Sequence, residues 1–284
     1  MSVRFLTLAS GSKGNCTYIG TPHAQVLIDC GIGPRRLAQT LAAHGIDWRQ
    51  LDAVFVTHTH TDHVGGLPAL LKHLPQLRVY AHERTTPVLA AMLRGEAVSE
   101  DWRRQVVKQA VLFSAAPTHA DIVTFNGSQG FCHRDLDVLA LRVSHDSEPT
   151  VAFKVFAAGR RAGVLTDLGT YDEQLVSAFG DCDALLLEAN HCPVMLACGP
   201  YPEFLKQRIR GHAGHLSNEQ SVQFTGSLSR LPRHLILGHI SDNNNRPEAV
   251  WTAYGELAPH SAAPQAPAPI TVLTQLTPGP LLEL

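Results

Sequence analysis

Short apolar runs rich in β-branched and aromatic residues recur along the chain at 3–8, 25–29, 53–57, 77–81, 137–143, 151–157, 162–166, 183–188 and 234–238, and their length and composition predict strands. Amphipathic stretches between several of them predict helices over Pro34 to His44, Val64 to His73, Glu83 to Leu93, Pro202 to Ile209, Ser217 to Ser229 and Pro247 to Ala258. Ser217 followed three residues later by Gln220 forms a capping box, which marks where the fifth of these helices starts. Ala258 to Pro269, rich in Pro and Ala, predicts an extended connector to a final strand at 270–275. Residues from about 95 to 135 break the pattern with charges, Trp102, a Pro117-Thr118-His119 turn, Gly127 and Gly130. They predict either an insertion over a functional cleft or a surface excursion with one extra helix. There is no internal repeat, and periodicity alone defines a mixed α and β domain.

A chain of 284 residues, 44% of them hydrophobic, can bury one substantial core, and no linker divides it, so a single domain spanning 1–284 is expected. No apolar stretch reaches the roughly 18 residues that span a bilayer. The N-terminus runs straight into strand-like Val3-Arg4-Phe5-Leu6 without a cleavage-type signal, so a cytoplasmic protein is expected. Cys16, Cys30, Cys132, Cys182, Cys192 and Cys198 contain no Cys-x-x-Cys pair and sit mostly among apolar neighbours, which suits reduced, buried thiols. The formal net charge of −2 leaves nucleic-acid binding to a local patch. Lys206, Arg208, Arg210 and His212 provide one, unless they are the ordinary solvated face of a helix.

The chemistry concentrates in Thr57-His58-Thr59-His60-Thr61-Asp62-His63-Val64-Gly65-Gly66, which places three imidazoles and a carboxylate within six residues at the end of an apolar run. His58 and His60 alternate as side chains do on an extended segment, so both can face one ion. Asp62 and His63 begin the following turn and point to a neighbouring position, which implies two adjacent metals.

His-x-His-x-Asp-His directly after a strand resembles the signature of the metallo-β-lactamase superfamily. Later segments follow the same pattern in order: Ser144-His145-Asp146, Leu165-Thr166-Asp167-Leu168-Gly169 and Leu237-Gly238-His239-Ile240-Ser241. The resemblance implies an α+β, four-layer αββα sandwich with its metals between the sheet edges. It also implies that His58, His60 and His145 hold one ion, that Asp62, His63 and His239 hold the other, and that Asp167 bridges them. Within the superfamily, Leu8-Ala9-Ser10-Gly11-Ser12-Lys13-Gly14-Asn15-Cys16, Val143-Ser144-His145-Asp146, Glu188-Ala189-Asn190-His191, Gly211-His212-Ala213-Gly214-His215-Leu216-Ser217-Asn218 and Gly238-His239-Ile240-Ser241 resemble the WalJ/YycJ branch, described as 5′ to 3′ DNA exonucleases. Cys192 departs from this branch, standing where an acidic residue is expected, and that weakens any role for His191. Asp146 and His191 are otherwise expected beside the ligands.

Two divalent ions roughly 3.5–4 Å apart can hold a hydroxide for attack, neutralise phosphate oxygens and stabilise the departing oxygen. Five histidines and two carboxylates favour zinc or manganese over calcium, with iron also accommodated. Asp62 is expected to orient the attacking water as well as to ligate. Gly214-His215-Leu216-Ser217 resembles an element of ribonuclease Z in which the histidine pairs with a carboxylate, so His215 with Glu188 as partner is expected to protonate the leaving 3′ oxygen. The Gly-, Ser- and Asn-dense loop suggests an anion nest in which Ser10, Ser12 and Asn15 grip a 5′ phosphate, although a tight turn demands the same composition. The function implied is a dinuclear-metal DNA exonuclease. The alternatives are a ribonuclease Z-like RNA-processing nuclease and a small-molecule hydrolase of lactams or thioesters, since one fold serves all three.

Overall fold

The computed structural model describes residues 2–96, 121–127, 130–147, 149–255, 270–275 and 277–284. Its strands form two seven-stranded sheets. The first takes β1 (Arg4–Ala9), β2 (Cys16–Gly20), β3 (Gln25–Ile28), β4 (Ala53–Phe55), β5 (Arg78–His82) and β6 (Asp121–Phe125) in that order. The second runs β7 (Gly130–His133), β8 (Leu136–Val143), β9 (Thr150–Ala157), β10 (Arg160–Leu165), β11 (Ala184–Glu188), β12 (His234–Gly238) and β13 (Ile270–Val272). A last strand, β14 (Leu282–Glu283), returns to pair antiparallel with β1. Each sheet is antiparallel at one end and parallel at the other, β3 to β6 in the first and β10 to β13 in the second.

Side-chain alternation divides each strand between two apolar layers. Val26 and Ile28 join Phe5, Phe55, Phe153, Val155, Val164 and Ile236 in a core between the sheets. Leu27, one position out of phase, packs with Leu6, Leu8, Val54 and Val79 against α1 (Pro34–Ala43), α3 (Leu67–His73) and α4 (Thr86–Leu93). On the outer face of the second sheet, Leu185, Leu187, Leu235 and Leu237 meet α5 (Glu173–Phe179), α8 (Asn218–Ser227) and α9 (Pro247–Gly255). Three apolar layers between four layers of structure make this an αββα sandwich. Because strands such as β3 and β11 are buried on both faces, they read in sequence as unbroken apolar runs.

Several sequence expectations shift. Residues 121–125 and 130–133, read as part of an insertion, are edge strands of the two sheets, while residues 97–120 lie outside the described residues. The helix expected over Val64 to His73 is broken at Gly65 and Gly66 into α2 (Thr61–Val64) and α3. A Cβ at Gly66 would stand 1.9 Å from the Ile32 carbonyl oxygen, so only glycine lets this break pack against the backbone of Cys30 and Ile32. The expected capping box at Ser217 is present, and the helix from Pro247 is described only to Gly255. Strand β2, helix α5, helix α6 (Pro193–Cys198) and β14 were not expected. α7 (Glu203–Arg210) lies one residue later than anticipated.

Candidate metal centre

The site is assembled where strands end. His58, His60 and His63 follow β4, His145 lies between β8 and β9, Asp167 follows β10, Glu188 closes β11 and His239 follows β12. Asp167 and His239 have φ of 61° and 54°, a left-handed conformation that few residues other than glycine adopt, and Asp29 after β3 has φ 59°. Such strain is retained where surrounding structure over-determines it, and here it turns strand-end side chains into the space between the sheets. The Val151 N–H donates to the Thr57 carbonyl at 3.1 Å, tying β9 of the second sheet to the motif carried by the first.

The ligating atoms of His58, His60 and His145 lie within 4.8 Å of one another, as do those of Asp62, His63 and His239. Asp167 stands between the groups: its Oδ1 is 3.8 Å from His145 Nε2 and 3.5 Å from His239 Nε2, and its Oδ2 is 3.2 Å from His63 Nε2. Four imidazoles are held through Nδ1. His58 meets the Thr57 hydroxyl at 3.0 Å, His63 meets Asp29 at 2.7 Å, His145 meets the Gly214 carbonyl at 3.1 Å and His239 meets Glu188 at 2.8 Å. Holding Nδ1 fixes the tautomer and presents Nε2 as a lone pair. The Nε2 atoms of His58, His145 and His239 are buried without a hydrogen-bond partner, a costly arrangement for a polar atom that metal coordination resolves.

Electrostatics point the same way. Burial pushes the His58 imidazole well below its ordinary pKa and His145 down to about 4, so both are neutral donors. Burial also opposes charge on His63 and His239, but Asp167 together with Asp29 and Asp62 holds His63 well above the usual range, and Asp167 with Asp62 and Glu188 brings His239 up to about 10. The buried carboxylates thus demand positive charge, and a cation that meets this demand releases those protons. The site fits divalent metal ions.

Glu188 is fully buried, and although burial opposes its charge, His215 and His239 bring its pKa down to about 2. Its Oε1 accepts from Nδ1 of both His215 (2.7 Å) and His239 (2.8 Å), and Oε2 accepts the Leu168 N–H at 3.0 Å. With both oxygens so engaged, Glu188 orients the two imidazoles. His215, held by Nδ1, has Nε2 for the cleft that it lines.

That cleft, about 240 Å³, is bordered by His60, Asp62, His145, Asp146, His215 and His239, and also by Ser12, Asn190, Tyr201 and Arg208. Asp146 lies at the ligands, its Oδ1 3.4 Å from His145 Nε2 and 3.6 Å from His60 Nε2, while its Oδ2 takes the Arg208 Nε–H at 2.5 Å. His191 is not brought into the ligand groups: it is buried, burial pushes its imidazole down to about 4, and its backbone carbonyl accepts the Asn218 N–H. The Ser10, Ser12 and Asn15 trio is also divided. Ser10 Oγ accepts the His239 N–H at 2.8 Å, and Asn15 Nδ2 lies 3.2 Å from Asp62 and 2.9 Å from His63 Nε2, which leaves Ser12 alone facing the cleft. Both inward residues support ligands because their loop packs directly beneath the motif. The basic patch separates too: Arg208 reaches the cleft, Lys206 donates to the Ala197 carbonyl, and Arg210 pairs with Glu203.

Sequence reasoning missed Asp29 and Thr57. The Thr57 hydroxyl donates to Asp29 at 2.8 Å, and the pair holds His58 and His63. The only local signal was a carboxylate ending the apolar run Val26-Leu27-Ile28, the same placement that marks Asp167 after its strand.

Residues 24–240 match the family model described as a beta-lactamase superfamily domain, and the chain belongs to that superfamily and is a hydrolase of it. It is 30% identical over 258 residues to exodeoxyribonuclease WalJ of Streptococcus pneumoniae serotype 2 (strain D39), covering 90% of this chain and 88% of that one. It is 28% identical over 249 residues to exodeoxyribonuclease YycJ of Bacillus anthracis, covering 87% and 86%. In fold it is similar to the metallo-beta-lactamase fold protein YhfI from Bacillus subtilis, with a TM-score of 0.66 at 14% identity over the whole of both chains.

Proposed function

We propose that the protein is a dinuclear-metal phosphodiesterase that degrades DNA from its 5′ end. The observation that carries this reading is the His215–Glu188 pair, 2.7 Å apart, set beside the His58–His60–His145 and Asp62–His63–His239 groups with Asp167 within 4 Å of both. His58, His60 and His145 would hold one ion and Asp62, His63 and His239 the other, with Asp167 reaching both. Donors of this kind suit zinc or manganese, and iron can substitute. Two such ions would supply Lewis acidity for the phosphate oxygens and a water of lowered pKa.

The remaining work falls to the chain. Asp62, about a quarter exposed at the cleft, orients the attacking water. His215, when doubly protonated with its Nδ1–H on Glu188, gives the Nε2 proton to the departing 3′ oxygen and is left as the neutral Nδ1–H tautomer. Ser12 is the one side chain of the first loop at the cleft, and it is assigned the terminal 5′ phosphate. Similarity to two exodeoxyribonucleases over most of the chain supports DNA as the substrate. Six free cysteines suit a reducing cytoplasm.

The test is a 3′-labelled duplex with either a 5′ phosphate or a 5′ hydroxyl, incubated with enzyme loaded with zinc, manganese or iron. Progressive shortening from the phosphorylated end, lost in Asp62→Ala, is expected. Intact duplexes with every metal, alongside cleavage of an RNA precursor or a lactam, would overturn the reading.

A further inference from the structure

The α7 helix carries a side chain that the cleft wall does not require. Phe204 is 73% exposed, and among the described residues only Val194 and Trp251 are also large hydrophobics left in solvent. Phe204 precedes Arg208 by four residues, so the two share one stripe of the helix a turn apart. Arg208 lines the cleft and binds Asp146, whose other oxygen lies 3.4 Å from His145 Nε2. Tyr201 and Leu205, on either side of Phe204 in sequence, line the same cleft. By helical spacing Phe204 therefore sits next to the residues of α7 that line the cleft, on the same stripe as Arg208.

Resting on the nuclease reading above, we propose that Phe204 is a stacking platform for an unpaired base of the substrate strand next to the phosphate held at the ligand groups, with Arg208 facing the backbone between them. An aromatic face beside a guanidinium is the combination that holds single-stranded nucleic acid, because every base offers a π-face and every linkage a charge. Arg208 is 57% exposed on its side chain, which leaves guanidinium donors for a phosphate beyond those on Asp146. A protein partner is the poorer fit. Glu203, Gln207 and Arg210 on the same helix are exposed and polar, whereas a stable interface needs about 800 Å² from each side with an apolar centre.

The experiment uses metal-loaded enzyme and DNA in which each of the first three nucleotides from the attacked end is replaced in turn by an abasic tetrahydrofuran analogue. Wild type is compared with Phe204→Ala and Phe204→Trp. At one position the wild type should lose about tenfold in kcat/KM when the base is removed, the size expected for one stacked base. Phe204→Ala should lose about tenfold on intact DNA, mainly through KM, and be indifferent to that abasic replacement, while Phe204→Trp restores the discrimination. The proposal is overturned if Phe204→Ala discriminates intact from abasic ends as the wild type does. It is equally overturned if the wild type is a dimer that Phe204→Ala dissociates, which would make this face a self-interface. A wild type that cleaves no nucleic acid refutes the nuclease reading and this inference together, whereas an active wild type with unchanged discrimination in the variant refutes the stacking alone.

Discussion

Glu188 is where orientation and charge converge, since one of its oxygens serves both His215 and His239. Glu188→Gln keeps the shape but removes the charge, and an amide NH2 in the place of Oε2 would face the Leu168 N–H donor to donor. Turnover is expected to fall about 100-fold and metal affinity 10- to 100-fold, the usual cost of losing a group that orients a ligand, as read by kinetics and metal titration. The same residue makes a signed pH prediction for chelated protein. Its folded pKa of about 2 lies below an unfolded value of about 4.3, so its stabilisation is complete above the latter and is lost as pH falls through the former. The gap in urea midpoint between wild type and Glu188→Gln should therefore narrow from pH 5 to pH 3, and a constant gap would contradict this account. At this scale the ligands were legible because four of them crowd into six residues. Asp29 and Thr57 were not, because a lone carboxylate and a lone hydroxyl acquire meaning only from what they touch.

Loops, more than strands, set the spacing of the centre, and they interlock through glycines. A Cβ on Gly31 would lie 1.7 Å from the Asp62 carbonyl oxygen and 2.8 Å from the Asn15 nitrogen, so Gly31→Ala must push the first loop away from the motif. It is expected to cost about 1–3 kcal/mol in urea denaturation, as overpacking does, and to weaken metal binding with it. Gly226 in α8 is the contrasting case, exposed and with nothing within 4 Å of where an added methyl carbon would stand, so Gly226→Ala should stabilise by up to about 1 kcal/mol. Equal effects from the two substitutions would show that backbone propensity, and not loop contact, dominates both. The apolar pattern placed most strands within two residues of their observed bounds. It missed β2, whose five residues follow the glycine-rich loop, and it missed β6 and β7, edge strands whose outer sides carry polar residues that blur the alternation.

Across the whole molecule, the three apolar layers decide which cysteines can react. Cys16, Cys30 and Cys182 are buried, and burial pushes Cys30 and Cys182 up to about 12, whereas Cys132 and Cys198 are exposed, contrary to the expectation of mostly buried thiols. Brief iodoacetamide treatment of native protein, mapped by mass spectrometry, should modify Cys198 and, more slowly, Cys132, whose thiol is raised by its hydrogen bond to Asp137. Cys16, Cys30 and Cys182 should react only after unfolding, and early modification of any of them would mean that the layers open. No helix among the described residues is long and apolar enough to cross a membrane.

By itself the chain determined most of its strands and its candidate metal-binding cluster, because apolar periodicity and the close spacing of histidines are local properties that a linear pattern records. Only the tertiary structure decided what those residues stand against. It gave Glu188 a second imidazole in His239, turned Ser10 and Asn15 inward and brought Arg208 from a surface helix to Asp146. These pairings span from 47 to 229 residues of chain, and at such separations the linear pattern does not select one partner over another.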